Sequence, residues 1–348
     1  MFCCIECFSS SYLRNIVYSD SRKGECDYCN SKDVSIYTPR ELILYFGNIL
    51  NLYKVDYESG TDILSALERD FADTIFSNNV KSKLDLLHAI IEDDNEEFGE
   101  LLNNNVSSAL WKEEHSKKTD AIHNKWEAFK NEIKNINRFH IQATIDLVKL
   151  HNIFRNESFQ TNLKKGRIFY RSRISDNKGI AIEEMGNPPK DKATGGRANP
   201  KGISYLYLAD NVKTSLYEAR ATLFDFVTVG DFRLKEDIKI LNLREPENDP
   251  IIWAEQEAIL DYLTYIPFIK TLQKELSLPI RKLDKEIDYL PTQYLSEFIK
   301  SIGYEGVEFQ SSLHSDGYNL AIFNPDKFKC VRTNVYEIES IELNHRKM

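Results

Sequence analysis

The sequence predicts an α+β protein: a small cysteine-rich module, then an all-helical domain, then a domain mixing sheet and helix. Three observations predict this order. Five of the 6 cysteines fall before residue 30. Apolar residues recur at helical spacing to about residue 155. Beyond residue 165 the chain turns to short runs rich in Ile, Val, Tyr and Phe, separated by turn residues and brief helical stretches.

Residues 1–37 carry the cysteines. Cys4-x2-Cys7 and Cys26-x2-Cys29 form two knuckles at the spacing of a four-thiolate zinc site. Each knuckle offers two sulfurs to one ion, and four thiolates close a tetrahedron. Such a closed set predicts a structural Zn2+, because no position remains for a substrate. Cys3 competes with Cys4 for the first position. Cys330, in "FKCVR", reads as a core residue of a strand.

Residues 38–158 read as helical. "TPRE" opens with Thr38 as cap, Pro39 at the first position and Glu41 closing a capping box. Leu64, Leu67, Phe71 and Ile75 recur three or four apart, as do Ile122, Trp126, Phe129, Ile133 and Ile136, so both sets predict bundle core. Acidic side chains outnumber basic ones in this stretch, and "EDDNEEFGE" predicts a solvated surface. Residues 160–202 reverse the sign and are strongly basic, which places a boundary near residue 158.

Residues 159–348 form the third domain. "GRIFYRSRI", "GISYLYLA", "FDFVTVGDFRL", "IKILNL", "GVEFQSS" and "YNLAIFN" read as strands. "NVKTSLYEARATL", "WAEQEAILDYL" and "PTQYLSEFIKSIG" read as helices between them, the first capped by Asp210 or Asn211.

The formal charge of the 348 residues is -9, which argues against non-specific binding of nucleic acid by the whole surface. "MFCCIECFSS" lacks the basic start and long apolar run of a signal peptide, and no stretch is long enough to span a membrane. The expectation is a cytoplasmic protein with thiols reduced or metal-bound.

The chemistry concentrates in "TGGRANPKGISYLYLADNVKTSLYEAR". Gly195 and Gly196 let the backbone approach a ligand. Arg197 follows, and Asn199-Pro200 makes a turn. Tyr207 alternates along the strand, and the next helix brings Glu218 over the strand end. Arg171 and Arg173 come from "FYRSR", Ser311 and Ser312 from "EFQSS". Arginines fork onto a pyrophosphate, and a tyrosine packs on a ring. A carboxylate holds ribose hydroxyls and stabilises the positive charge that develops as a nicotinamide departs. The nicotinamide is already cationic, so no second carboxylate is needed as acid. His314 reads as a solvent-facing loop residue.

In "FYRSR", "GGRANPKGISYLYLA", "SLYEAR", "PTQYLSEFIKSIGYEGVEFQSSL" and "GYNLAIFNP", residues 165–335 resemble the RES domain, the toxin of bacterial toxin–antitoxin pairs. Many relatives have Trp where this chain has Ala198. The resemblance implies a fold similar to ADP-ribosylating toxins and degradation of NAD+ by phosphorolysis or hydrolysis. It assigns catalysis to Arg171, Tyr207, Glu218 and one of Ser311 and Ser312, with Ser311 preferred because it sits where the family strand ends. Gly196, Arg197, Asn199, Arg173, Ser312 and Asn319 are then the NAD-binding set, with Arg171 and Arg197 on the pyrophosphate and Tyr207 at the nicotinamide end. Glu218 engages the ribose, and Ser311 the departing ring or the acceptor. An antitoxin and inorganic phosphate are the implied partners, a role in defence is in keeping with a toxin, and helical bundles of this sort often form homodimers.

The helical part resembles HEPN-type domains fused to RES domains. Arg138–His140 is too closely spaced, and "KLHNIFRN" reversed in order, for the ribonuclease pair of that family, so it reads as scaffold or regulator. Two rivals stand beside NAD degradation: transfer of ADP-ribose to a macromolecule, and a HEPN-type ribonuclease or binding module with an inert C-terminal domain.

Overall fold

The computed structural model describes residues 1–71, 74–92, 95–108, 110, 113–143, 145–244, 249, 251, 256–278 and 286–341. Asp93 and Asp94 of the predicted acidic surface, and Trp253–Glu255 at the start of one predicted helix, lie outside the described residues.

The chain divides into two compact units, residues 1–123 with 247–267, and residues 124–246 with 268–348. This division differs from boundaries at 37 and 158. The cysteine segment packs into the first unit, where Phe8 meets Phe76 with ring centroids 6.1 Å apart. A helix runs unbroken from Glu113 to Asn135, and the chain returns to the first unit after residue 246.

In the first unit, β1 (Cys3–Cys4), β2 (Lys23–Gly24) and β3 (Val34–Tyr37) form a small antiparallel sheet in the order β1-β3-β2. Helices α1 (Ser11–Ser19), α2 (Ile43–Leu50), α3 (Ile63–Phe71), α4 (Lys83–Ile91) and α5 (Gly99–Asn103) follow, with a two-stranded pair of β4 (Tyr53–Val55) and β5 (Val106–Ser108). Ser10 and Ser82 cap α1 and α4 by accepting from Leu13 N and Asp85 N, which satisfies amides the helices leave free. Thr38 makes no such cap. Pro39–Leu42 is a 3-10 turn before α2 rather than the first turn of an α-helix.

The long α6 (Glu113–Asn135) contributes to both units. Its apolar stripe forms core where the spacing predicted, with Trp126, Phe129 and Ile133 buried. Ile136 lies past the helix end and is exposed. Helix α7 (Leu147–Phe154) is capped by Asp146.

The second unit holds an eight-stranded sheet of β6 (Gln160–Leu163), β7 (Ile168–Ser175), β8 (Leu206–Ala209), β9 (Phe226–Leu234), β10 (Ile238–Asn242), β11 (Gly306–Gln310), β12 (Tyr318–Ile322) and β13 (Phe328–Glu337). Its order is β13-β9-β7-β8-β12-β11-β10-β6, antiparallel except between β10 and β11. One face carries a core of Leu163, Phe169, Leu206, Leu208, Phe232, Ile240, Leu320 and Ile322, residues that alternate along their strands. Helices α8 (Val212–Glu218) and α10 (Leu290–Ser301) also belong to this unit, and α9 (Gln256–Ser277), like α6, contributes to both units. β7 and β8 pair only through Tyr170 and Ala209, so the sheet parts there and leaves room for a cleft.

Candidate functional site

A cleft of about 380 Å³ lies where β7 and β8 part. Arg171 and Ser172 of β7, Tyr207 and Ala209 of β8, the 194–199 loop, Glu218 of α8 and Asn319 of β12 line it. Five segments, drawn from residues 171 to 319, therefore converge on one depression.

Glu218 is the last residue of α8, whose N-terminus is capped by Asn211 accepting from Thr214 N at 2.8 Å. Asp210, the other predicted cap, instead accepts from Tyr318 N. The Glu218 carboxylate is held from three sides. Oε1 accepts from Ser311 Oγ at 2.8 Å and from Asn319 Nδ2 at 2.7 Å. Oε2 lies 3.8 Å from Arg197 Nη2. This fixes one carboxylate at the cleft wall while leaving lone pairs free for a ligand hydroxyl.

The two arginines differ. Arg197 Nη1 donates to the carbonyls of Leu276 and Ser277, at 3.1 and 2.9 Å, the last residues of α9. A guanidinium suits the negative end of a helix. Burial pulls its pKa down, while Glu218 and Tyr207 hold it up. Arg171 has no ion pair with any described residue, and its buried Nε has no hydrogen-bond partner. Burial, and then the like charge of Arg173, push its pKa down to about 10. The group is still a cation at neutral pH, and an anionic ligand would satisfy it.

Tyr207 and Asn199 organise the loop. Tyr207 Oη donates to Asn199 Oδ1 at 2.8 Å and accepts from Ala198 N at 3.2 Å. Burial raises the phenol's pKa, so it stays neutral and keeps donating. Asn199 Nδ2 donates to the carbonyls of Thr194 and Ile203. Its amide is thus committed to the loop. Gly196 needs its bare Cα for the same reason: a Cβ there would meet Asn199 Oδ1 at 2.5 Å and Tyr207 Oη at 2.9 Å. The close approach is to the protein's own hydrogen bond. Gly196→Ala is expected to lower stability by about 1–3 kcal/mol through this clash, read as a drop in Tm.

The structure brings Arg171, Gly196, Arg197, Asn199, Tyr207, Glu218 and Asn319 to the cleft, with Ser311 behind Glu218. It does not bring Ser312 or Arg173. Ser312 is exposed, and Arg173 is exposed and donates to the Glu184 carbonyl. His314 is not simply solvent-facing: its Nδ1 lies 2.9 Å from Thr214 Oγ1, and its ring stacks on Tyr217.

Sequence reasoning missed Thr292 and Gln293. From the first turn of α10 they donate to the carbonyls of Arg197 and Gly196, at 2.7 and 2.8 Å. Two buried polar residues after a helix-opening proline were the available signal. Arg138 and His140 are exposed beyond α6.

The metal cluster is a separate feature. The Sγ atoms of Cys4, Cys7, Cys26 and Cys29 lie within 4.8 Å of one another. Cys4–Cys29 and Cys7–Cys26 are 3.4 Å apart and Cys4–Cys7 3.9 Å. A tetrahedron with metal–sulfur bonds of ~2.3 Å places sulfurs ~3.8 Å apart, so the four residues could hold one ion. Tyr28 N also donates to Cys26 Sγ. Cys3 lies outside the cluster, with its thiol toward the Tyr37 carbonyl.

An arginine- and carboxylate-lined cleft set in a split, mainly antiparallel sheet defines the class. Residues 168–343 match the RES domain, and residues 19–146 match HEPN/RES N-terminal domain 1. The chain belongs to the RES-domain family, whose members act on NAD. A solved structure described as the M. tuberculosis MbcT–MbcA toxin–antitoxin complex aligns with 55% of this chain and 91% of its own, at 14% identity and a TM-score of 0.32. Comparison with curated proteins returns no match. Among the described residues no helix is long and apolar enough to cross a membrane.

Proposed function

We propose that this protein is a toxin that degrades NAD+ by breaking the nicotinamide–ribose bond. The observation that carries the reading is the pairing of one fixed carboxylate, Glu218, with one half-buried cation, Arg171, that has no ion pair among the described residues, on a single cleft. Arg171 takes the pyrophosphate. Glu218 holds the ribose hydroxyls beside the bond that breaks. As the carbon–nitrogen bond lengthens, its electron pair leaves with nicotinamide, and positive charge grows on the ribose. A carboxylate fixed by Ser311, Asn319 and Arg197 needs little reorganisation to stabilise that charge. An oxygen of phosphate or water then bonds to the same carbon; with water, one proton is released. Tyr207 forms the wall at the reacting end.

In this scheme Arg197 steadies Glu218 rather than gripping the dinucleotide. Arg171→Ala should therefore raise KM for NAD about tenfold or more. Arg197→Ala should lower kcat with a smaller change in KM, and Arg197→Lys should fall between, because an ammonium keeps the charge but loses the fork. Steady-state kinetics of the three variants check this. Matching effects of Arg171→Ala and Arg197→Ala on KM would refute the division of roles.

Cys4, Cys7, Cys26 and Cys29 hold a structural zinc, and none of them lines the cleft. A toxin that consumes NAD needs restraint, so an antitoxin partner follows from this reading. The decisive experiment incubates the protein with NAD and phosphate and resolves the products by mass. ADP-ribose phosphate marks phosphorolysis and free ADP-ribose marks hydrolysis. ADP-ribosylated macromolecule would mean transfer instead, and intact NAD would overturn the proposal.

A further inference from the structure

We propose that Tyr205 recognises the adenosine half of the dinucleotide, at the end of the cleft away from Glu218; this rests on the NAD reading above. Tyr205 is 2% exposed, yet it lines the cleft, and its hydroxyl has no hydrogen-bond partner among the described residues. Among the described residues few buried side-chain polar atoms lack a partner, and two of them, Arg171 Nε and Tyr205 Oη, belong to residues that line this same cleft. A buried hydroxyl left unpaired is costly, and a ligand that supplies the partner removes that cost.

The ring is held in place independently of any ligand. Phe323 packs on it with centroids 4.9 Å apart and planes at 52°, and the Lys300 ammonium lies 5.6 Å from the ring centroid. Burial raises the phenol's pKa, so the group remains a neutral donor.

Position along the cleft identifies which half of the ligand it meets. Glu218 binds Asn319, and Asn319 pairs with Ala209 at the end of β8. Tyr205 stands four residues back along the chain, just before β8 begins. At ~3.3 Å per extended residue the two ends are up to ~13 Å apart, with Tyr207 between them. The bond that breaks lies at the Glu218 end. The part of a dinucleotide that reaches Tyr205 is then its adenosine, whose ring nitrogens and ribose oxygens accept a phenol's hydrogen bond.

The test is Tyr205→Phe, which removes one oxygen and keeps the ring. Calorimetry measures the affinity of parent and variant for AMP, which carries only the far half, and for nicotinamide mononucleotide, which carries only the reacting half. Steady-state kinetics with NAD and a melting curve complete the set. The expected result is AMP affinity and NAD KM weakened about three- to tenfold, the loss of one hydrogen bond. Nicotinamide mononucleotide affinity and kcat should stay unchanged, and Tm should not fall, because the hydroxyl has no partner among the described residues to lose. Equal weakening for both mononucleotides, unchanged AMP affinity, a parent protein that consumes NAD but binds no AMP, or a lowered Tm would each overturn the assignment. A parent protein that leaves NAD intact overturns the underlying NAD reading instead, and the two failures are told apart by that control.

Discussion

Glu218→Gln is expected to lower kcat for NAD by about a hundredfold or more while leaving fold and NAD affinity largely in place. The structure explains why the amide is the right probe. Its oxygen can still accept from Ser311 Oγ and Asn319 Nδ2, which now bind Oε1 at 2.8 and 2.7 Å. Its nitrogen then replaces Oε2, the atom 3.8 Å from Arg197. What is lost is the negative charge, and that charge matters most when the ribose becomes cationic. Single-turnover kinetics and a binding measurement separate the two effects, and expression in cells should show relieved toxicity. Turnover at the parent rate would make Glu218 a structural helix residue. Glu308 could not then take its place. It alternates with Phe309, which lines the cleft, and it accepts from Thr161 of β6 on the other side of the sheet.

The second large effect concerns the cysteines. Purified protein should carry about one zinc per chain, and Cys26→Ser should abolish it and unfold the N-terminal segment. Binding a structural zinc contributes on the order of 10 kcal/mol in small zinc modules, far more than the net stability of a typical domain contact. Here the cluster ties residues 4–7 to residues 26–29 across α1, with Cys7 and Cys26 thiols 3.4 Å apart. Elemental analysis under reducing, chelator-free conditions reads the metal content, and melting curves with and without chelator read its contribution. Soluble Cys26→Ser protein should still consume NAD, since no cysteine lines the cleft. Zinc-free parent protein, or a melting curve indifferent to chelator, would end the zinc assignment.

The element types were legible because they rest on local rules. Short runs rich in Ile, Tyr and Phe such as "FYRSRI" and "YNLAIF" became β7 and β12, and the Trp126–Phe129–Ile133 spacing became the buried stripe of α6. The cysteine pairs were legible for the same reason: two short spacings limit which sulfurs can meet. The choice of Cys4 over Cys3 was not, because it depends on β1 pairing with β3 and turning Cys3 toward the Tyr37 carbonyl. Short β6 escaped notice, since "QTNL" has no pattern of its own and becomes a strand only by pairing with β10.

The candidate site divides along the same line. Sequence alone determined which residue types could do the chemistry, and the resemblance singled out Arg171, Tyr207, Glu218 and Ser311. Only the tertiary structure decided what each is bonded to. It commits Asn199 and Tyr207 to each other, ties Arg197 to the end of α9, sends Arg173 and Ser312 to the surface, and leaves Arg171 and Tyr205 unsatisfied. Hydrogen-bond partners here lie up to about a hundred residues apart in the chain, as between Glu218 and Asn319. Local propensity carries no information over such separations; the register of β8 against β12 and the single residue pair joining β7 to β8 supply it.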